Sequence, residues 1–151
     1  MSNVQAFLYA IASSEGTAGI GDRGYNVLVG STAKQPLLFG SYHDHPRTKI
    51  QLSATLVSTA AGRYQILARY FDAYKVQLKL PDFGPASQDA IALQMIREQG
   101  AYADVCAGRF DAAIEKCRNI WASFPGANYG QHENRLTDLR QAFISAGGVL
   151  A

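Results

Sequence analysis

The feature that most narrows what this chain can fold into is a series of helical apolar stripes cut apart by glycine and proline. The first stripe is Val4, Phe7, Leu8 and Ile11, and Glu15 continues it at the spacing of an amphipathic helix. Ser2 or Asn3 is placed to cap the start, and Gly16 directly after Glu15 is a natural stop. The last member of an apolar face is therefore a carboxylate, set where the chain leaves the helix. Burial disfavours its charged form, and the negative end of the helix dipole pushes the same way. A glutamate with a reference pKa of about 4.3 would then hold its proton near neutral pH, as a general acid must. Spacing alone favours the plainer alternative, a glutamate at the polar edge of the stripe that reaches water.

Beyond Glu15, Gly16, Gly19, Gly21 and Gly24 with Asp22 and Arg23 make a turn-rich loop. The β-branched segment 25–29 and the apolar segment 37–39 read as a small antiparallel hairpin, and 53–59 as a polar loop. Ser58 or Thr59 is placed to cap a helix over 60–79, with Ile66, Leu67, Tyr70, Phe71, Tyr74 and Leu78 inward and Pro81 beyond its end. Pro85 opens a helix to about residue 99, apolar over most of its circumference. A short helix over 102–107 ends at Gly108. Another over 110–123 carries Phe110, Ala113, Ile114, Cys117 and Trp121 on one face, and a last one over 132–145 turns Leu136, Leu139 and Phe143 inward. The pattern is α+β: one mostly helical domain over 1–151, with a small antiparallel β-hairpin after the first helix.

Composition excludes several classes. A chain of 151 residues with 48% hydrophobic and 17% charged residues can bury a core and is not disordered. A net charge of +2 with no basic stripe argues against nucleic acid. No secretory signal is expected, and no apolar run is long enough for membrane insertion. Cys106 and Cys117 lack metal or redox spacing, so both are expected as reduced thiols, with Cys117 on a buried face. His43 and His45 form an H-x-H pair, but no third ligand lies at a recognisable spacing, so no metal is expected. No cofactor is implied.

Two loops combine glycine with polar and aromatic residues, the mix that lines carbohydrate clefts by stacking and hydrogen bonding: the approach to AAGRYQI and the segment PGANYGQ. Taken singly, the plainer alternatives are favoured, with Tyr64 in the core, Arg63 solvated and the glycines serving turns.

Eight strings, in order along nearly the whole chain, resemble those of the lambda-type phage endolysins, lytic transglycosylases of bacterial peptidoglycan. They are AFL and SEGT around Glu15, GYNVLVG at 24–30, DHPR at 44–47, STAAGRYQI at 58–66, DAYKVQL at 72–78, SQDAIALQ at 87–94 and NIWASFPGANYGQ at 119–131. The resemblance implies a lysozyme-like α+β fold and places Glu15 on the family's single catalytic glutamate. AGRYQ is similar to a cleft-lining motif shared with goose-type lytic transglycosylases, which makes Tyr64 and Gln65 candidates to bind sugar, with Ser58 at the loop end. Tyr129 and Gln131 look like the opposite lip of the cleft. The chain departs from the family's pattern in a shorter loop at 19–21 and in Cys106.

The carboxylate inventory bears on mechanism. Ordinary glycosidases use two carboxylates. Phage muramidases of the other common kind follow the glutamate with an Asp and a Thr, and Asp22 and Thr32 lie at offsets that do not match. With one carboxylate doing both jobs, the resemblance implies acid catalysis by Glu15 at the bond between N-acetylmuramic acid and N-acetylglucosamine, then closure of a 1,6-anhydro ring. The alternatives are a hydrolytic muramidase on the same fold and a non-catalytic wall-binding protein. The resemblance further implies glycan strands as the partner, action as a monomer, and dependence on a holin or similar protein for access to the wall; with no secretory signal expected, the protein should accumulate in the cytoplasm of the producing cell.

Overall fold

Ser2 and Gln5 open the first helix as a reciprocal capping box. The Gln5 backbone N–H donates to Ser2 Oγ at 3.2 Å, and the Ser2 backbone N–H donates back to Gln5 Oε1 at 3.4 Å. This computed structural model describes residues 2–127 and 133–151. The helices are α1 (Asn3–Glu15), α2 (Ala68–Leu78), α3 (Pro85–Glu98), α4 (Tyr102–Ala107), α5 (Phe110–Cys117) and α6 (Leu136–Ser145); the strands are β1 (Ile50–Gln51) and β2 (Val57–Ser58). The fold is the expected mostly helical α+β architecture. The chain forms two compact units, Met1–Glu15 with Ala92–Ala151, and Gly16–Ile91.

In the first unit α1 packs against α4 and α6, and α5 against α4 and α6. Phe7, Leu8 and Ile11 are buried as the stripe requires, and so are Ala6, Ala10 and Ala12. The small alanines let the neighbouring helices approach closely. Phe110 sits between Phe7 and Phe143, with ring centroids 5.7 and 5.0 Å away. Cys117 is fully buried, and its neighbour Trp121 packs on Phe124. Asn3 ties the chain ends together: its Nδ2 donates to the carbonyls of Cys106 and Val149, and its Oδ1 accepts the Val149 N–H at 2.8 Å. Asp104, nearly buried, accepts from Arg109 at 2.7 Å and Lys116 at 2.6 Å, which hold its carboxyl below the usual range.

The second unit centres on Phe71, Phe83 and His45, whose rings lie 4.7 to 5.9 Å apart by centroid. His45 is buried, and both ring nitrogens are engaged. One bonds the Ile66 carbonyl at 2.8 Å, and the other accepts the Arg47 N–H at 2.9 Å. That pattern selects one neutral tautomer and uses the ring for packing.

Three local expectations shift in the structure. The antiparallel pair follows α1 as expected, but it lies at 50–58, where Ile50 faces Ser58 and Gln51 faces Val57. Segments 25–29 and 37–39 make only the bridge between Val27 and Leu38. Residues 27–29 pair instead with 60–62: Val29 N donates to Ala60 O at 3.1 Å and Gly62 N to Val27 O at 2.8 Å. The helix expected from residue 60 begins at Ala68, because Gly62 (φ 82°) and Gln65 (φ 54°) take left-handed backbone that no helix accepts. Thr59 still serves as a cap, its hydroxyl accepting the Ala68 N–H at 3.0 Å from nine residues back. α5 and α6 are likewise shorter than their stripes.

Candidate active site

Glu15 is the last residue of α1, and Gly16 (φ 77°) takes the chain out of the helix immediately after it. Its side chain keeps part of its surface open to solvent, while its carboxyl is closely packed. Burial pushes its pKa up to about 7, against a smaller downward pull from a hydrogen bond with the Ser123 side chain. A carboxyl with that value is half protonated at neutral pH, the condition for giving and then taking a proton.

Behind Glu15 lies a chain of polar side chains. Ser14 and Ser123 are both buried, with their Oγ atoms 2.7 Å apart. Asn134 Nδ2 donates to the Ser14 carbonyl at 2.9 Å and to Ser14 Oγ at 3.1 Å. The Asn134 backbone N–H donates to the Ser123 carbonyl at 2.9 Å.

In the unit Gly16–Ile91, AGRYQ forms a tight turn closed by Ile66 N to Ala61 O at 2.9 Å and Ala61 N to Ile66 O at 3.1 Å. Gln88, fully buried, holds it from inside. Gln88 Oε1 accepts the Arg63 N–H at 2.9 Å, and Nε2 donates to the carbonyls of Tyr25 and Phe83 at 3.0 and 2.8 Å. Thr17 Oγ1 donates to the Arg63 carbonyl at 2.6 Å.

Tyr64 is 1% exposed, and its hydroxyl donates to Asp89 Oδ1 at 2.6 Å. Tyr25 donates to the same oxygen at 2.9 Å. Arg63 lies over both rings, with Nη1 3.2 Å from each hydroxyl. Arg63 is thus engaged on the turn, not simply solvated. Gln65 is partly exposed, and its Nε2 donates to Gly62 O at 2.9 Å. Ser58, on β2, is partly exposed and its Oγ accepts the Ala60 N–H at 3.1 Å. Tyr129 and Gln131 lie outside the described residues.

Asp22 is solvent-exposed; Tyr42 donates to its Oδ2 at 2.6 Å and Arg23 to its Oδ1 at 3.4 Å. The hydrogen bond from Tyr42 leads in holding this carboxyl below its usual range. It carries the signature of a paired surface carboxylate, the reverse of Glu15.

Residues 5–150 match the family described as Endolysin. The chain belongs to the endolysin family. It is 48% identical to the endolysin of Escherichia phage P2 over 157 aligned positions, covering 99% of this chain and 95% of that one. It is also 48% identical to the endolysin of Escherichia phage lambda, covering 97% and 92%. A bacteriophage lambda lysozyme solved in complex with a chitohexasaccharide superposes with a TM-score of 0.93 at 47% identity, over 99% of this chain and 96% of that one. A second structure of lysozyme from bacteriophage lambda gives 0.88 at 46% identity, over the same shares. The fold of this endolysin is therefore lysozyme-like, and the chain is a cell-wall-degrading enzyme by family.

Sequence reasoning missed Ser123 and Asn134. Ser123 was legible only as one letter of the NIWASFPGANYGQ string, and the helical stripe over 110–123 ended beside it. Asn134 carries no local signal, since its role depends on a partner 120 positions earlier in the chain.

Proposed function

We propose that this endolysin is a lytic transglycosylase that cleaves the β-1,4 bond between N-acetylmuramic acid and N-acetylglucosamine in peptidoglycan. The observation that carries the reading is the Glu15 carboxyl, poised near neutrality at the end of α1 by burial. In the proposed reaction the protonated Glu15 carboxyl gives its proton to the glycosidic oxygen as the bond from the muramyl C1 breaks. The N-acetyl group of the substrate stabilises the positive centre left behind, a known exception among glycosidases. The ionised Glu15 then takes the proton of the muramyl C6 hydroxyl, whose oxygen bonds to C1 and closes the 1,6-anhydro ring. Atoms and protons balance without water, and Glu15 ends as it began.

One observation supports a single carboxylate. Asp22, the nearest acidic residue after Glu15 in sequence, is exposed and spends its oxygens on Tyr42 and Arg23. The lambda lysozyme of similar fold was solved with a chitohexasaccharide, which fits an oligosaccharide substrate. Ser58 and Gln65, and with them Tyr129 and Gln131, are the residues we propose to bind sugar. For Tyr64 we propose an indirect part, holding AGRYQ in shape through Asp89. The chain would work as one monomeric catalytic domain, made in the cytoplasm and admitted to the wall by a holin or similar protein. No helix among the described residues is long and apolar enough to cross a membrane.

Mass spectrometry of fragments released from purified peptidoglycan tests this, with Glu15→Gln as control. Products lighter by one water than hydrolytic fragments carry 1,6-anhydro ends and support the transglycosylase. Reducing ends would mean that water attacks, and Asp22 would then be the first base to test. No release by the folded wild-type protein would leave a wall-binding role.

A further inference from the structure

Arg63 is a half-buried cation with no carboxylate of its own. Its Nη1 donates to the hydroxyls of Tyr25 and Tyr64 at 3.2 Å each, and both hydroxyls donate onward to Asp89 Oδ1. The guanidinium thus meets Asp89 only through two neutral groups, and no ion pair among the described residues includes it. Its Nε is buried without a hydrogen-bond partner, and its Nη2 donates to none of the described residues. Nη2 is not enclosed as Nε is, so one end of the fork is left open on a partly exposed side chain. Arg23 makes the contrast. It lies over the same Tyr25 ring, 5.2 Å from the centroid against 5.1 Å for Arg63, yet it meets Asp22 through its Nε at 3.4 Å.

A guanidinium drawn partly out of water without a carboxylate costs stability, and here the fold holds it in that state. The side chain stacks on two rings, the backbone N–H is taken by Gln88 Oε1, and the carbonyl accepts from Thr17, two residues past Glu15 in the chain. Fixed before any ligand arrives, the fork loses little further freedom on binding. We infer that Arg63 is a specificity-determining residue that binds a carboxylate carried on the muramic acid of peptidoglycan. The inference rests on the proposed function, which supplies that substrate. The sugar rings of the glycan are neutral. Its negative charge lies on the lactyl group of muramic acid where no peptide is attached, and on the acidic peptide where one is. An arginine with an unspent edge recognises such a group by charge-assisted hydrogen bonds. An uncharged chitin oligosaccharide has the same linkage and offers that edge no anion, so Arg63 would distinguish the wall polymer from its neutral analogue.

Calorimetric titration in a Glu15→Gln background, where strands stay intact, tests this with chitohexaose, peptide-bearing strands, and strands stripped of peptide to the free lactyl carboxylate. Adding Arg63→Gln should weaken binding of a carboxylate-bearing strand about tenfold and of chitohexaose by less than about twofold. A loss on peptide-bearing strands places the carboxylate on the peptide, and a loss on stripped strands places it on the lactyl group. Arg63→Lys keeps the charge without the fork and should recover only part of the affinity. Arg23→Gln removes a charge over the same ring and should change binding by less than about twofold; a loss equal to that of Arg63→Gln would be bulk attraction and would overturn the inference. So would an equal loss on all the glycans, which makes Arg63 a shaper of the turn, or no loss on either charged strand. Should the Arg63 variants fail to fold, the Arg63 Nε–H resonance in Glu15→Gln, assigned by NMR through its own side chain, carries the test. It should shift with a charged strand and stay put with chitohexaose, and the inference fails if it does not. Fragments released during the titrations would instead overturn the proposed function, since Glu15→Gln should leave every strand whole.

Discussion

The Tyr64 hydroxyl donates to Asp89 Oδ1 at 2.6 Å, and the Tyr25 hydroxyl meets the same oxygen at 2.9 Å. A tyrosine of the AGRYQ string is thereby spent on the interior. With 1% of its surface exposed, the ring offers no stacking face to a ligand. Its part is to fix the turn whose neighbouring residues, Arg63 and Gln65, remain partly exposed.

Tyr64→Phe should accordingly cost stability and not affinity. Losing a hydrogen bond to a carboxylate destabilises by about 1–3 kcal/mol, read from urea unfolding. KM for oligosaccharide should change by less than about twofold, since the lost group touches the protein and not the ligand. A large rise in KM with unchanged stability would put Tyr64 back among the sugar-binding residues.

Gly62→Ala should be more damaging. Gly62 has φ 82°, and an added Cβ would press on the Gln88 amide, meeting its Cδ at 2.9 Å. Left-handed strain together with displacement of a buried amide that makes three hydrogen bonds should cost about 2 kcal/mol or more. Thermal unfolding of the variant beside wild type checks it.

Glu15→Gln should lower fragment release by about a thousandfold or more while leaving the protein folded. Its stability effect has a definite sign. The folded pKa, about 7, lies above the ordinary value of 4.5, so folding favours the protonated form. Stability is full below pH 4.5 and is lost as pH rises to 7, by about 3 kcal/mol in all. The glutamine variant has no proton to lose. Urea unfolding at pH 4.5 and pH 8 should show it gaining on wild type at the higher pH.

His45 should act in the opposite sense. Burial holds its pKa below the ordinary 6.5, against a smaller upward pull from its bond to Ile66. Protonation would also turn the nitrogen that accepts the Arg47 N–H into a donor. Its contribution is full above pH 6.5 and is lost as pH falls through the depressed folded value. His45→Phe should melt lower than wild type at pH 7 but lose less on acidification to pH 4.5. Circular dichroism melts at both values would decide it.

The helices were legible because their signals are local. Ser2, the stripe from Val4 to Ile11, Gly16 and Gly108 each act within a turn or two, and α1 and α4 lie where those residues put them. The failures have two causes. Residues 60–66 carry an apolar pattern that continues smoothly into α2, yet they fold as a turn paired with 27–29, a choice made by residues more than thirty positions away. Segment 53–59 reads as a polar loop because β2, like its partner β1, is two residues long and half exposed, so no alternation of buried and exposed positions could develop.

By itself the sequence determined that a carboxylate ends the first apolar stripe, and that the chain is an endolysin of largely helical fold. Spacing, caps and motif strings act along the chain and are written in it. Only the tertiary structure decided what that carboxylate is. A proton equilibrium depends on everything within a few ångströms, and the burial that raises the pKa of Glu15 is made by packing, with Ser123 pulling the other way from more than a hundred residues along the chain. The same holds for Tyr64, expected from its string to meet a ligand, whose hydroxyl belongs to Asp89.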